Sequence, residues 1–369
     1  MIPLIKPDVS FDAVADDLRK IIESGYLTSG PYVAAFEAAI RDYLGVEHAV
    51  STTSATTAMH MVLAAMDIGP GDEVLVSDFT FPATGNVVVQ TGAVPVLVDN
   101  RPGQFDMDPD DLAAKVTPRS RAIIVVHPFG QPADMARINH VAAEHGLKVI
   151  EDAACALGTR TADGRYCGAV SDAGCFSFHP RKLLTTGEGG MITTDDPSLA
   201  ERLSVLRSHG GKRSTVGLEF VENGFNYRMN ELQACMGLEQ IGRFDAILDE
   251  RRRVAQLYLE ALHGVNYATV PMTADSRSCS FQSFVVMLDA KIDRNRVIAA
   301  MKAQGIETTL GTYAMHSHPA FSKYGYDSGD LPNSFAAQQQ SLTLPLIKDM
   351  SEKDIEGIVA ALSEAVQIG

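Results

Sequence analysis

Short apolar runs alternate with amphipathic stretches over the first 200 residues of the chain. Two helices are predicted at 10–24 and 31–44, separated by a breaker of Gly, Ser and Pro residues. Apolar runs typical of buried strands then recur, at 48–52, 73–77, 94–98, 121–127, 147–150, 173–178 and 191–194. Helical spacing of apolar residues lies between several of them, at 54–66, 87–92 and 134–145. This alternation predicts an α/β fold whose mainly parallel central sheet is covered by helices.

The second part of the chain has a different pattern. A long helical segment is predicted from 230 to about 262, where it would bridge two domains. After it come an alternating strand at 280–289 and helices at 293–304 and 351–366. We therefore predict a large domain over residues 1–245, with the N-terminal helices included, and a smaller α+β domain over 246–369.

Composition and charge narrow the functional class. The net charge of −15 argues against a nucleic-acid partner, because phosphate backbones are bound by clustered Lys and Arg. The five cysteines are scattered without a CxxC pair, which indicates reduced thiols in a cytoplasmic protein. The start of the chain is too short in apolar length for a signal peptide, and no 18-residue apolar run follows. We expect a soluble cytoplasmic protein with no membrane partner.

Polar loops follow five of the predicted strands. Their sequences are SATT, FTFPAT, HPFGQP, EDAAC and HPRK. Ligands of parallel sheets bind at the carboxyl ends of the strands, so these loops should meet in one crevice. The pattern favours an enzyme.

Lys182 and Asp152 are the strongest catalytic candidates. Lys182 lies between a predicted strand and a glycine-rich loop, where it is either a Schiff-base lysine or a surface lysine beside a turn. Asp152 ends a strand, where its carboxylate can hold a positive charge such as a protonated pyridine nitrogen. A metal ligand and a helix cap are its alternatives, but no cluster of ligands at metal spacing lies nearby in the sequence. We predict no metal.

Five further residues are candidates for binding an anion or a flat ring. Ser54, Ala55 and Thr56 open a helix directly after a strand, which is typical of a phosphate site but also of simple N-capping. Phe81 is a ring-stacking candidate or a core residue. Ser177 would supply a second hydroxyl, although a lone core serine is the simpler interpretation.

Assembled in order, these motifs resemble the DegT/DnrJ/EryC1/StrS family of sugar aminotransferases, which are pyridoxal-phosphate (PLP) enzymes of fold type I. The similar segments span nearly the whole chain: GYLTSGPYVAAFE (25–37), SATTAMHMVLAA (54–65), GPGDEVLV (69–76), FTFPATGNVV (79–88), VHPFGQPADM (126–135), IEDAACALG (150–158), GCFSFHPRKLLTTGEGGMITTDD (174–196), GFNYRMNELQACMGLEQI (224–241) and SLTLPL (341–346).

The resemblance implies a role for each matching residue. Lys182 would hold PLP covalently and shuttle a proton, and Asp152 would pair with the pyridinium nitrogen. Phe81 would stack on the ring, while Ala55, Thr56 and Ser177 would hold the phosphate. Asn226 would reach the phosphate of the neighbouring subunit's cofactor in a homodimer with shared active sites. The resemblance offers as substrate-binding candidates Thr28, Ser29, Glu188, Arg228, Tyr313 and His316.

Two positions depart from the family pattern. Cys155, a further cofactor-binding candidate by position, stands where a glutamine that contacts the cofactor's 3′-oxygen is usual, and a thiol is a poorer hydrogen-bond partner. Ala55 stands where glycine is usual. Some relatives that dehydrate sugars have His at the position of Lys182, so the lysine favours transamination.

The sequence thus predicts a transaminase that moves an amino group from a donor, by resemblance glutamate, to a nucleotide-linked keto sugar. Its alternatives are another reaction on the same cofactor, such as dehydration, and a cofactor-binding regulator without turnover.

Overall fold

The computed structural model describes residues 1–368 of the chain. Its helices are α1 Phe11–Ser24, α2 Pro31–Leu44, α3 Ala55–Ala65, α4 Ala83–Thr91, α5 Pro109–Ala114, α6 Met135–His145, α7 Pro197–Arg207, α8 Glu231–Ile241, α9 Phe244–Ala261, α10 Arg294–Ala303, α11 Pro332–Gln340 and α12 Glu352–Ile368. Its strands are β1 His48–Thr52, β2 Glu73–Ser77, β3 Phe79–Thr80, β4 Val94–Val98, β5 Ser120–Val126, β6 Lys148–Asp152, β7 Ala173–Ser177, β8 Gly190–Thr194, β9 Gly211–Ser214, β10 Gly217–Phe220, β11 Ala268–Thr269, β12 Phe284–Leu288, β13 Thr309–Leu310, β14 Tyr313–Ala314 and β15 Ser341–Leu344.

A seven-stranded sheet in the order β1-β8-β7-β6-β5-β2-β4 forms the centre of the protein. The strands from β7 to β4 pair in parallel, whereas β8 runs antiparallel to both β1 and β7. Neighbouring residues of one strand enter different apolar clusters, as Val74 and Leu75 do on β2. Both faces are therefore buried, and the predicted α/β class with a mainly parallel sheet is confirmed.

A second apolar cluster lies on a smaller antiparallel sheet of order β11-β12-β15-β13 and on the helices α9, α10 and α12. The division into residues 1–245 and 246–369 stays a prediction, with which this cluster is consistent. The first residues of the chain join the second cluster as well: Ile2 bridges to Ile306, and the N–H of Leu346 donates to the Leu4 carbonyl at 3.2 Å.

The prediction of one helix over 230–262 is wrong at its centre. Helix α8 ends at Ile241, and α9 begins at Phe244. Glycine is a weak helix former, and after Gly242 the backbone of Arg243 leaves helical geometry at φ −122° and ψ 19°. The Arg243 guanidinium there binds Asp8 and Glu239, so the break is fixed by ion pairs.

Helix α8 also holds α2 in place. The carboxylate of Glu231, only 1% exposed, accepts the backbone N–H groups of Gly30, Tyr32 and Val33 at 2.9–3.0 Å. These are donors at the start of α2 that the helix itself cannot satisfy. Gly237 allows the two helices to approach, since a Cβ there would lie 2.5 Å from the Phe36 ring.

Among residues 1–368, no helix combines the length and the apolar character needed to cross a membrane.

Candidate active site

A cavity of about 600 Å³ opens between the carboxyl ends of the central strands and the smaller sheet. Residues from many separate segments line it, among them Ser54, Ala55, Thr56, Phe81, Asp152, Cys155, Ser177, Arg181, Lys182, Glu188, Arg251, Gln282, Ser283, Thr309 and Thr312. The predicted convergence of loops at this edge of the sheet therefore occurs, and the smaller sheet supplies the opposite wall.

Lys182 projects from the loop that joins β7 to β8. The carbonyl of Phe178 fixes this loop by accepting the N–H of Thr186 and the hydroxyl of Thr185, both at 2.9 Å. The half-buried amine of Lys182 donates to the Sγ of Cys155 at 3.1 Å. Gly190 ends the loop directly against α3, because a Cβ there would lie 2.4 Å from the backbone of Ser54.

Asp152 lies at the carboxyl end of β6 with its side chain in the cavity wall. Its Oδ2 accepts the hydroxyl of Thr84 at 2.8 Å, and its Oδ1 accepts the N–H of Ala154 at 3.2 Å. Burial raises the pKa of this carboxyl, although both hydrogen bonds act in the opposite direction. Within the described part of the chain no cation forms an ion pair with Asp152. A buried carboxyl of this kind suits a ligand that brings its own positive charge.

The amino end of α3 faces the same cavity. The Oγ of Ser54 accepts the N–H of Thr57 at 3.1 Å, so the cap is built from within the helix. The N–H groups of Ala55 and Thr56, at the first two helical positions, have no intrahelical acceptor. With the Ser177 side chain on the same cavity, these groups form a site for an anion such as phosphate.

Phe81 stands at the mouth of the cavity with 66% of its surface exposed, so it is not a core residue. Its neighbour is Tyr313, whose ring centroid lies 6.4 Å away because β14 pairs with β3. An exposed aromatic beside Lys182 and Asp152 suits a flat ligand ring.

The other predicted residues lie in three places: at the cavity, in the protein interior, or outside the cavity. Glu188 lies on the cavity, and Tyr313 lies beside its mouth. His316 is buried, and its Nδ1 forms a hydrogen bond of 2.6 Å with the carboxylate of Asp78. Its side chain therefore lies in the protein interior and does not line the cavity, contrary to the prediction. Outside the cavity of their own chain lie Thr28, Ser29, Asn226 and Arg228.

Sequence reasoning missed three residues of this site. Thr84 holds Asp152, but a threonine inside a helix gives no sign of such a contact. Arg181 lines the cavity, and its side chain makes no hydrogen bond or ion pair with any described residue. Arg251 reaches the cavity from α9, where it is bound to the carbonyls of Phe281, Gln282 and Leu346. Their places depend on the packing of distant segments.

Behind the sheet edge, the side chains of His127, Glu151 and Cys167 lie close enough to hold a metal ion. The polar atoms of His127 and Glu151 are already engaged, and burial raises the pKa of the Cys167 thiol, which keeps it protonated. His127 accepts the N–H of Ala133 at Nδ1 and donates from Nε2 to Glu151 at 2.9 Å. Glu151 also accepts the N–H groups of Gly168 and Val170. We interpret this group as a buried hydrogen-bond network that supports β6.

The chain matches the model of the DegT/DnrJ/EryC1/StrS aminotransferase family over residues 11–363. It belongs to this family. The match covers both the central sheet and the smaller one, so the family resemblance predicted from the motifs is confirmed.

Two curated relatives and one solved structure illustrate the similarity. The chain is 40% identical over 355 residues to the GDP-perosamine synthase of Caulobacter vibrioides, with 95% of each chain covered. It is 37% identical to the spore coat polysaccharide biosynthesis protein SpsC of Bacillus subtilis, with 95% of this chain and 94% of that protein covered. A candidate sugar aminotransferase of Streptococcus pneumoniae in its PLP-form has the same fold at a TM-score of 0.93 and 25% identity, over 100% and 99% of the two chains.

Proposed function

We propose that the protein is a PLP-dependent aminotransferase that transfers an amino group from an amino acid to the keto group of a nucleotide-linked sugar. The observation that carries this is the placement of Lys182, the buried Asp152 and the free amino end of α3 on one cavity. A primary amine, a carboxylate for a ring cation and an anion site are the groups that PLP requires.

The residues present fit the cofactor, and each has a role toward it. Ala55, Thr56 and Ser177 would bind the phosphate, and Phe81 would cover the ring. Asp152 would stabilise a proton on the ring nitrogen, with Thr84 orienting its carboxylate. Lys182 would anchor the cofactor through Nζ and then move a proton at the reacting carbon. Bound PLP supplies the ring that withdraws electrons from that carbon.

The rest of the cavity supports a polar, anionic substrate. Hydroxyl groups line it on several sides, from Ser283, Thr309 and Thr312 among others, as is suitable for a sugar. Arg181 offers a guanidinium that pairs with none of residues 1–368 and can bind a phosphate or carboxylate group, in a chain whose net charge is −15. The similarity to a GDP-perosamine synthase supports a nucleotide-linked sugar, and glutamate remains the proposed amino donor.

A homodimer with shared active sites completes the proposal. Asn226 is exposed and lies outside the cavity of its own chain, which leaves it free to reach a partner's site. The hairpin of β9 and β10 before it exposes Val216, Leu218 and Phe220 at 97%, 62% and 66% of their surfaces. A second copy of the chain would cover this apolar face.

We also propose that the protein is cytoplasmic, which its five free cysteines support.

The decisive experiment compares the wild-type protein with Lys182→Ala. Wild-type protein mixed with PLP should show the absorbance band of a lysine-bound cofactor and lose it when glutamate is added. Lys182→Ala should lack that band and transamination activity, because no other residue supplies the covalent amine. Product analysis with nucleotide-linked keto sugars must find an amino sugar. A deoxy sugar would indicate dehydration, and a band insensitive to every amino donor would indicate a regulator; either result contradicts the proposal.

A further inference from the structure

Cys155 and Lys182 form a pair of nucleophiles inside the cavity. The amine Nζ lies 3.1 Å from the sulfur, within hydrogen-bond distance for a thiol. Both side chains are partly exposed and line the cavity, so small solutes can reach them. Transamination as proposed above uses the amine but gives the thiol no role.

Cys155 differs from the other four cysteines of the chain. Cys167, Cys175 and Cys279 are 0% exposed and Cys235 is 3% exposed. Burial raises the pKa of all four thiols, to about 11 for Cys235, which keeps them protonated and unreactive. An oxidant dissolved in water therefore meets Cys155 before the other four thiols.

The backbone holds both partners in place. The Cys155 carbonyl accepts the hydroxyl of Ser280 at 3.2 Å, and the N–H of Lys182 donates to the His179 carbonyl at 2.8 Å. An amine and a thiol held in contact on fixed loops need no rearrangement of the chain to react. Only the sulfur has to change its chemical character, from nucleophile to electrophile.

We propose that Cys155 is an oxidation site at which peroxide joins it covalently to Lys182. Peroxide first oxidises the thiol to a sulfenic acid and releases one water. The free amine of Lys182 then attacks the sulfur, forms an S–N bond and displaces a second water. In sum, the thiol, the amine and one hydrogen peroxide give the S–N cross-link and two waters, and the sulfur is oxidised while the peroxide is reduced.

The consequence for the enzyme rests on the proposed function of Lys182. A cross-linked lysine has no free amine with which to bind PLP, so oxidised protein would not take up the cofactor. Protein that already carries PLP on Lys182 lacks the attacking amine, so the cofactor protects against the cross-link. A thiol reductant cleaves the S–N bond and restores both side chains.

Peptide mass spectrometry on the full-length, cofactor-free protein tests the cross-link directly. After peroxide treatment, we expect the peptides of Cys155 and Lys182 to be joined at a mass about 2 Da below their sum, since two hydrogens leave as the bond forms. Dithiothreitol should separate them and restore PLP uptake. Cys155→Ser and Lys182→Met should each abolish the joined peptide. Cys235→Ser, which removes a buried thiol, should retain it.

The outcomes separate this inference from the proposed function. PLP uptake by untreated protein reports on the proposed function, whereas the joined peptide reports on the cross-link. A sulfinic acid at Cys155 beside an unmodified Lys182 would overturn the inference. A Cys155 that stays reduced while a buried cysteine oxidises would overturn it as well.

Discussion

The buried carboxylate of Asp152 is energetically unfavourable in the cofactor-free protein, but a cationic ligand would offset that cost. It lies in the cavity wall with two hydrogen bonds and without an ion pair to any residue in the described range. Removing a carboxylate from water costs free energy that two neutral donors offset only in part. A cationic ring nitrogen above it would offset more.

We predict that Asp152→Asn lowers kcat/KM on the order of a hundredfold, because one preorganised charged group is worth about 3 kcal/mol in a desolvated site. Steady-state kinetics of the wild type and the variant measure this loss.

Asp152→Asn should also stabilise the cofactor-free protein at neutral pH. Since burial raises the pKa of Asp152, the folded state binds the proton more tightly than the unfolded state. Wild-type stability should therefore fall relative to the variant as pH rises through the folded pKa.

Urea unfolding of both cofactor-free proteins between about pH 4 and pH 7 measures this difference. Asp16→Asn, at an exposed position paired with Arg19, is the matched control and should show no such divergence. A variant less stable than wild type at pH 7 would contradict the interpretation.

At the scale of elements, the sequence pattern predicts what is buried better than what is exposed. The strands of the central sheet are continuous apolar runs because helices cover both faces, and all seven were predicted within a few residues. The hairpin of β9 and β10 was not, since its strands are only four residues long and all of their residues except Gly211 are exposed, so no continuous apolar run marks them. Helices α5, α7 and α11 were also missed.

The site residues likewise divide into those marked by the local sequence pattern and those placed by contacts between distant segments. Lys182 and Asp152 were predicted because Asp152 ends an apolar strand and Lys182 lies in the loop that follows one. His316 was assigned to substrate, but its pairing with Asp78 depends on residues more than 200 positions apart. The contacts of Thr84, Arg181 and Arg251 likewise depend on how segments pack.

Glu231 provides a test of how one element stabilises another. We predict that Glu231→Gln lowers the free energy of unfolding by about 2–3 kcal/mol, because three N–H groups at the start of α2 lose a charged acceptor. Chemical unfolding at fixed protein concentration measures the loss. Glu239→Gln, on the same helix and paired with Arg243 near the surface, should cost less than about 1 kcal/mol. Equal losses of unfolding free energy in the two variants would show that the buried Glu231 stabilises the protein no more than a surface ion pair does.

At the scale of the whole molecule, the site residues divide into those on the chain's own cavity and those outside it. Lys182 belongs to the first group and Asn226 to the second. If Asn226 acts in a partner's site, a defect in one chain can be complemented by the other chain.

We predict that Lys182→Ala and Asn226→Ala chains, each impaired alone, regain activity when they are co-expressed as hybrids. Each hybrid dimer has one intact site of two. Because random pairing makes about half of all dimers hybrids, about one quarter of all sites are intact. Activity of the hybrids, isolated through two different affinity tags, measures this. Hybrids no more active than the two parents would show that each chain builds its site alone. Co-expression of Lys182→Ala with Asp152→Asn is the control, since both defects fall in the chain's own cavity and one intact site cannot form.

The contacts of Leu4 with residues more than 300 positions later have a consequence for biosynthesis. Leu4 donates its N–H to Glu307, 303 positions later, and accepts a hydrogen bond from Leu346. Leu4 and Ile5 also line the cavity. During translation this segment emerges before its partners, which follow only after about 300 further residues have been made. We expect the nascent protein to lack one wall of its active site until residues 307–346 have been made, so that cofactor capture follows their synthesis.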